Sequence, residues 1–405
     1  MDWTGAFLAF LLLPALAVSI DALAAARSRR FRNLRAGTGE VPGTAAADVN
    51  EPFEVLVPIY GDIRYLANVD YLRQYGRRVI LCTTSGENEE FQRSLRDISA
   101  AHGFRVSTSG YSAPPSNGRR RTGGTIRDRV IRDALDTEVT AKYVVCLDAD
   151  TTSASPLGEL VNELHRRGDD IASIELVPQH KGPLLVQLQR HEYRLAMRLR
   201  YLLPWLLSGA CHVAKASALR NVMGRHSLFF QGNDVETGLI GERLGYRMTH
   251  IPFVVHTEVP STWRSWWRQR LAWAGGEFRL YVVNIRLGRW HPYFWIYGAV
   301  VLFAFFFLRW AAILQPGGSL LVAALLYFGM VYAVHWKHRN AWLLLLPFYT
   351  LLTSLILLPL GVAWYFAMAI PERNFGVIRF RRGRYDGATA GATAMAVRTE
   401  AAAKA

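Results

Sequence analysis

Between residues 51 and 260 the chain alternates short apolar runs with charged and turn-forming stretches, the pattern of a domain built on several strands. The run FEVLVPIY at 53–60 has the length of a strand and stops at Gly61 and Asp62. RRVILCTTS at 77–85 is a second such run and again ends in small polar residues. FRVSTS at 104–109 is a weaker third strand and KYVVCL at 142–147 a fourth, with helices expected at 88–102 and 126–135. Apolar strands alternating with amphipathic helices predict an α/β domain with a mostly parallel sheet covered on both faces. Ligands of such sheets bind beyond the carboxyl ends of the strands. Asp62, Thr84 and the pair Asp148 and Asp150 all leave strands at such ends.

Both ends of the chain are far more apolar. From Trp3 to Ala26 the one charge is Asp21, and 293–370 carries only Arg309 and the polar island Lys337-His338-Arg339-Asn340. A membrane span takes roughly 20 apolar residues. The N-terminal segment 1–26 qualifies once, and three spans are expected at 293–314, 318–336 and 341–370. The basic run RSRRFRNLR at 27–35 follows the first apolar segment instead of preceding it, which predicts an anchor over a cleaved signal and places this flank in the cytoplasm. The expected order is an anchor (1–26), a basic linker (27–50), a cytoplasmic α/β domain (51–260), amphipathic interfacial helices (261–292) and a transmembrane bundle (293–370) in the cell membrane. A C-terminal segment (371–405) completes it, its Ala- and Thr-rich tail after Asp386 expected to be disordered. The run 341–370 is too long for one straight span and too short for two. A kinked or re-entrant course helped by Pro359 and Gly361 is expected, returning the basic RFRRGR to the cytoplasm.

The 405 residues carry a net charge of +15, read first as attraction to anionic lipid and secondly to a polyanionic donor or product. Cys82, Cys146 and Cys211 are an odd number without paired spacing, so neither a disulfide framework nor a zinc site is indicated. Trp263, Trp266, Trp267 and Arg270 fall at helical spacing just before the apolar C-terminal region, the pattern of a helix in the membrane interface. Trp266 and Trp267 are assigned to that role, and the nearness of the spans argues against nucleic acid as a partner.

The chemistry starts from Asp148 and Asp150. Two uncompensated carboxylates that close repel, and a divalent cation with oxygen ligands removes the repulsion. Mg²⁺ characteristically takes one or two protein carboxylates and completes its shell with water and substrate phosphates. The alternative is that the pair caps a helix or solvates a loop. Downstream, FFQGNDVETGLIGERLGY puts Asp234 and Glu236 at the start of a helix, after a tight approach at Gly232. Asp234 is read as a catalytic base over a helix cap, and Glu236 as a supporting partner or surface residue.

A D-x-D, an acidic motif and a Q-x-x-x-W beside the membrane, in this order, resemble the membrane-embedded family 2 glycosyltransferases: the cellulose, chitin, hyaluronan and type 3 capsule polysaccharide synthases. The resemblance runs from about Phe53 to Arg379 and implies a Rossmann-like catalytic domain of the glycosyltransferase A type. It implies Mg²⁺ or Mn²⁺ at Asp148 and Asp150, clamped on the diphosphate of a UDP-sugar, and Asp234 as general base in an inverting displacement. Ser208, Gly209 and Trp273 match acceptor-site positions. Asp62, Thr84, Arg127, Asp148, Gln269 and Arg270 become candidates for holding the donor. The chain departs from the pattern at Ala272, where the motif carries arginine, and near Thr84, where an aspartate reads the uracil. NFGVIRF at 374–380 stands where the family has W-G-T-R. The expected product is a polysaccharide exported through the protein's own spans. Transfer of one sugar to a lipid carrier, or a transport or scaffold protein with an inactive transferase domain, are the alternatives.

Overall fold

The computed structural model describes residues 51–111, 123–179, 182–288 and 340–378, with Phe328, Gly329, Tyr332, His335 and Trp336. The expected anchor, basic linker, first C-terminal span, most of the second and the tail lie outside the described residues.

The first half of the domain follows the expected alternation. Strands β1 (Phe53–Pro58), β2 (Val79–Thr84), β3 (Arg105–Ser109) and β4 (Tyr143–Leu147) are separated by short turns of helix, α1 (Glu89–His102) and α2 (Gly123–Thr137). Helix α1 starts where the Asn88 side chain accepts from the Phe91 backbone N–H at 2.8 Å, and stops at Gly103, whose φ of 69° is left-handed. The chain continues through β5 (Thr152–Ser153), α3 (Leu157–Arg167), β6 (Ile171–Pro178), α4 (Leu184–Arg200) and β7 (Cys211–Lys215). Helices α5 (Ala216–Met223) and α6 (Asn233–Arg243), β8 (Met248–Thr257) and α7 (Trp263–Phe278) follow.

One eight-stranded sheet runs β3-β2-β1-β4-β7-β6-β8-β5. The β3-β2-β1-β4 half is parallel, as the alternation predicts. Beyond β4 the expectation of a mostly parallel sheet gives way: β7 is antiparallel to both β4 and β6, so the sheet is mixed. The strand alternation assigns each face. Val55, Val57, Val145 and Leu147 pack with Phe91 of α1 and Leu160 of α3. Leu56, Val144 and Cys146 pack on the opposite face with Val130 and Ile131 of α2 and Leu219 of α5. The result is a three-layer α/β/α domain.

After α7 a π-helical turn (Arg279–Val283) and α8 (Ile285–Gly288) close the domain's edge. The run expected as a third C-terminal span is broken into a 3-10 turn (Ala341–Leu345), α9 (Leu346–Leu352), a π turn (Thr353–Leu357) and α10 (Leu358–Glu372). No helix among the described residues is long and apolar enough to cross a membrane. Both ends of this run touch the catalytic domain: Asn340 Oδ1 lies 3.3 Å from His191 Nε2, and the Ile378 N–H donates to Asn284 Oδ1 at 2.8 Å. Glycines allow α10 to lie tightly on α7, since a Cβ on Gly361 would come within 2.8 Å of the Gly275 nitrogen. The run is interrupted at 353–357, with Pro359 in the first turn of α10.

The interfacial assignment of Trp266 is corrected. Trp266 is fully buried among Leu185, Leu188 and Leu343, and its Nε1 donates to the Tyr349 hydroxyl at 2.8 Å, because the 341–357 layer covers it. Trp263, at 54% exposure, is the tryptophan that faces outward. Trp266→Ala should therefore remove about 3–5 kcal/mol of stability, whereas Trp263→Ala should stay within about 0.5 kcal/mol. Thermal unfolding of the detergent-solubilised chain measures both.

Candidate active site

At the end of β4 the chain turns sharply, with the Thr151 N–H donating to the Asp148 carbonyl at 3.1 Å. The buried Asn68 amide pins this turn from outside by donating to the carbonyls of Asp148 (3.0 Å) and Thr151 (2.7 Å). The two carboxylates meet different partners. Arg127 Nε donates to Asp148 Oδ1 at 3.1 Å, and Arg127 Nη2 donates to the Gly209 carbonyl. Asp150 Oδ1 accepts from the Thr151 hydroxyl at 3.0 Å and forms no ion pair among the described residues. Burial raises the Asp148 carboxyl even against Arg127. Burial, then the charge on Asp148, pushes Asp150 up to about 6.

Asp234 arrives from a different direction. The loop before α6 holds left-handed backbone at Leu228, Phe230 and Gly232, and Gly232 has no room for a Cβ, which would meet Leu280 Cδ1 at 2.9 Å. This tight turn delivers Asp234 to the first turn of α6. Its Oδ2 accepts from the Gly209 N–H at 2.9 Å and its Oδ1 from the Val235 N–H at 3.0 Å. A Cβ placed on Gly209 would stand 3.8 Å from Asp234 Oδ2, 4.0 Å from Asp148 Oδ2 and 4.0 Å from Arg127 Cζ. The three side chains therefore converge on one glycine.

They share a cavity of about 410 Å³. Asp148, Asp150, Asp234, Arg127, Ser208 and Gly209 form its inner end; Gln269, Arg270 and Trp273 of α7 form part of its wall. Asp62 and Thr84 are not among its lining residues. Asp62 caps the turn after β1 and pairs with Arg64 at 2.6 Å, which pulls its carboxyl down to about 2. Thr84 is buried and donates to Glu87 Oε1 at 3.3 Å, while Glu87 Oε2 accepts from the Gly61 N–H at 3.0 Å. Arg270 reaches the cavity with its charge already engaged: it pairs with Glu192 at 2.7 Å and stacks over the Trp273 ring at 4.3 Å. Among the described residues no cluster of three or more His, Cys, Asp or Glu could hold a metal by itself. Two carboxylates, one of them without a cationic partner, fit a hard divalent cation that draws its other oxygens from substrate and water.

The sequence model of the family described as glycosyl transferase family group 2 matches residues 143–370, more than half of the chain and the whole of the cavity's α7 wall. The chain belongs to this family. Among solved structures this glycosyltransferase is similar to the mannosyltransferase PcManGT from Pyrobaculum calidifontis in complex with GDP-Man and Mn²⁺. The identity is 18%, covering 84% of this chain and 99% of that one, at a TM-score of 0.47. It is also similar to glucosyl-3-phosphoglycerate synthase from Mycobacterium tuberculosis in complex with Mn²⁺, UDP and glucosyl-3-phosphoglycerate. Here the identity is 15%, covering 58% of this chain and 84% of that one, at a TM-score of 0.37. No curated protein matches the sequence.

Several residues of the glycosyltransferase's cavity were not singled out in the sequence. Glu192 and Arg200 come from α4, and Glu277 from α7. A signal existed for Glu277, which stands four residues after Trp273 as Trp273 stands four after Gln269, all on one helical face. Arg200 donates to the carbonyls of Ile174 and Leu207; burial lowers it to about 10, so it stays cationic beside Asp234. Glu236 is the buried supporting partner that the sequence offered as one option. It pairs with Arg279 at 2.6 Å, both side chains fully buried, and accepts from the Ser227 N–H and hydroxyl. Arg279 also donates to the Gln231 carbonyl at 3.0 Å, and His226 bridges Asp128 (2.8 Å) and Thr237 (3.0 Å). This network grips both flanks of the Asp234 loop.

Its pH response has two limbs. Burial works to raise Glu236, but Arg279 and His226 outweigh it and hold the carboxyl below its ordinary 4.5. Its contribution is present above pH 4.5 and is lost as pH falls through the folded value. Burial works to lower His226, but Asp128 and Glu236 hold it above its ordinary 6.5. That contribution is present below pH 6.5 and is lost as pH rises through the folded value. Asp128→Asn should flatten the alkaline limb of stability in chemical denaturation between pH 5 and 9. Arg279→Met, which strands the Glu236 charge, should cost about 3–5 kcal/mol at pH 7.

Proposed function

We propose that this family 2 glycosyltransferase is a membrane-embedded, inverting enzyme that moves a sugar from a UDP-sugar to an acceptor hydroxyl, and that it lengthens a polysaccharide and exports it through its own spans. The observation that carries the transfer chemistry is the convergence of Asp148 and Asp234 on Gly209, in a cavity that Asp150 and Trp273 also line. Asp234, fixed by the N–H groups of Gly209 and Val235, takes the proton of the acceptor hydroxyl. The acceptor oxygen forms the new bond to the anomeric carbon as the bond to the diphosphate breaks, and the departing diphosphate keeps the electron pair. One displacement converts an α-linked donor into a β-linked product. Trp273 offers its face to the acceptor sugar, and Arg270, stacked on it, holds the indole in place. Asp148 and Asp150 would hold Mg²⁺ or Mn²⁺, which supplies Lewis-acid stabilisation of the leaving diphosphate.

Placement at a membrane is supported by the outer side of the C-terminal layer. Trp342, Leu344, Phe348, Leu360 and Ile370 are each more than 40% exposed there, an apolar face wider than a water-soluble surface favours. The net charge of +15 suits anionic lipid beside it. An acceptor tryptophan on the helix that packs against this layer would put synthesis next to the bilayer a growing glycan must cross.

Asp234→Asn should abolish transfer from radiolabelled UDP-sugars, by about 10³-fold or more, while leaving donor binding largely intact; full activity would remove Asp234 as the base. Asp150→Asn should abolish the dependence of UDP-sugar binding on added Mn²⁺, read by isothermal titration. A ladder of product lengths supports elongation, and a single lipid-linked species overturns it.

A further inference from the structure

Helix α7 presents Gln269, Trp273 and Glu277 at four-residue spacing, and all three line the cavity. The three differ in what they offer. Gln269 Oε1 is buried with no hydrogen-bond partner among the described residues. Trp273 supplies a flat apolar face. Glu277 is exposed to solvent within the cavity, which is itself partly open. A hydrogen-bond acceptor, an indole and a carboxyl in a row are the chemistry that grips a neutral sugar, with hydroxyls at either end and a C–H face on the ring.

Cations are already committed. Arg270 is bound to Glu192, Arg127 to Asp148, and Arg200 faces backbone carbonyls beside Asp234. Near Trp273 this leaves Glu277 and a neutralised Glu192–Arg270 pair. Among the described residues the cations lining the cavity are therefore each engaged, and none is paired with Glu277. The cavity walls, then the charge on Glu192, push the Glu277 carboxyl up to about 7 against Arg270, so part of its population is ionised at neutral pH.

Resting on the transferase reading above, we infer that the acceptor is an uncharged glycoside and that Glu277 sets this choice. It accepts hydroxyl hydrogen bonds from the sugar stacked on Trp273 and repels a carboxylate or phosphate in the same position.

The test uses the full chain in membranes, with matched acceptors that differ only at C6: p-nitrophenyl glucoside against glucuronide, and galactoside against galacturonide. The wild-type chain should favour the neutral member in kcat/KM by about tenfold or more, equivalent to about 1.4 kcal/mol. Glu277→Gln should narrow that ratio, and Glu277→Lys should erase or invert it, chiefly by lowering the KM of the acidic member. Equal use of both members by the wild-type chain overturns the inference, as does a ratio that neither substitution moves. So does a chain that makes its own product yet transfers to neither member of any pair. The wild-type ratio needs no variant to fold, and Glu277→Gln preserves the side-chain shape if the lysine is not tolerated. Loss of all transfer, to endogenous acceptor as well, is a different result and counts against the transferase reading itself.

Discussion

The site is built around a concentration of negative charge that the protein has only partly neutralised. Asp148 and Asp234 approach the same glycine from a strand end and a helix start, and Asp150 stands two residues from the first. Arg127 offsets one of the three, and the charge of Arg200 acts on another. Asp150 is left with threonine hydroxyls, and its carboxyl rises accordingly. Such an arrangement is costly by itself, and a divalent cation would relieve it. Gly209 stands where these groups meet: its N–H donates to Asp234, its carbonyl accepts from Arg127, and Asp148 lies beside it.

Holding Asp234 in that place requires a backbone that most side chains resist. Left-handed conformations at Leu228 and Phe230, neither of them glycine, persist because the surroundings fix them. The fixing comes from the Arg279–Glu236 pair and its bonds to Ser227 and Gln231, and from Phe230 packed against Tyr365 of α10. Arg279 begins the π turn that follows α7, so the base-bearing loop and the helix carrying Trp273 share one buried ion pair. The segment 374–378 reaches the same place, where a Cβ on Gly376 would strike Arg279 Cδ at 2.8 Å. The C-terminal layer thus bears on the reacting end of the cavity through side chains, without lining it.

Much of this was legible in the sequence, and the reasons for the rest are physical. Strands β1 to β4 announced themselves because a buried parallel strand is a continuous apolar run with polar residues at its carboxyl end. Asp148, Asp150 and Asp234 were legible because their residue types sit at chain positions where backbone geometry aims them outward. The antiparallel β7 was not, since CHVAK alternates too weakly to declare a direction. Trp266 was misplaced because the layer that covers it, with Tyr349, lies 83 residues further on. The partnership of Arg127 with Asp148 spans 21 residues and two elements, and no local pattern predicts it.

The exchange of the motif arginine for Ala272 has a consequence that follows from helix geometry alone. Positions 270 and 272 are about 200° apart around the helix, so Arg270 cannot stand where an arginine at 272 would. Arg270 instead turns to Glu192 and lies over Trp273, while Glu192 also accepts from the Tyr349 hydroxyl at 2.8 Å. Arg270 thereby ties Trp273 to the C-terminal layer through Glu192 and Tyr349. Besides Arg270, the cationic residues that line the cavity among the described residues are Arg127 and Arg200. Glu277, with the Arg270 charge acting on it but no ion pair among the described residues, makes the α7 wall of the cavity chemically unlike the region where Arg127 pairs with Asp148.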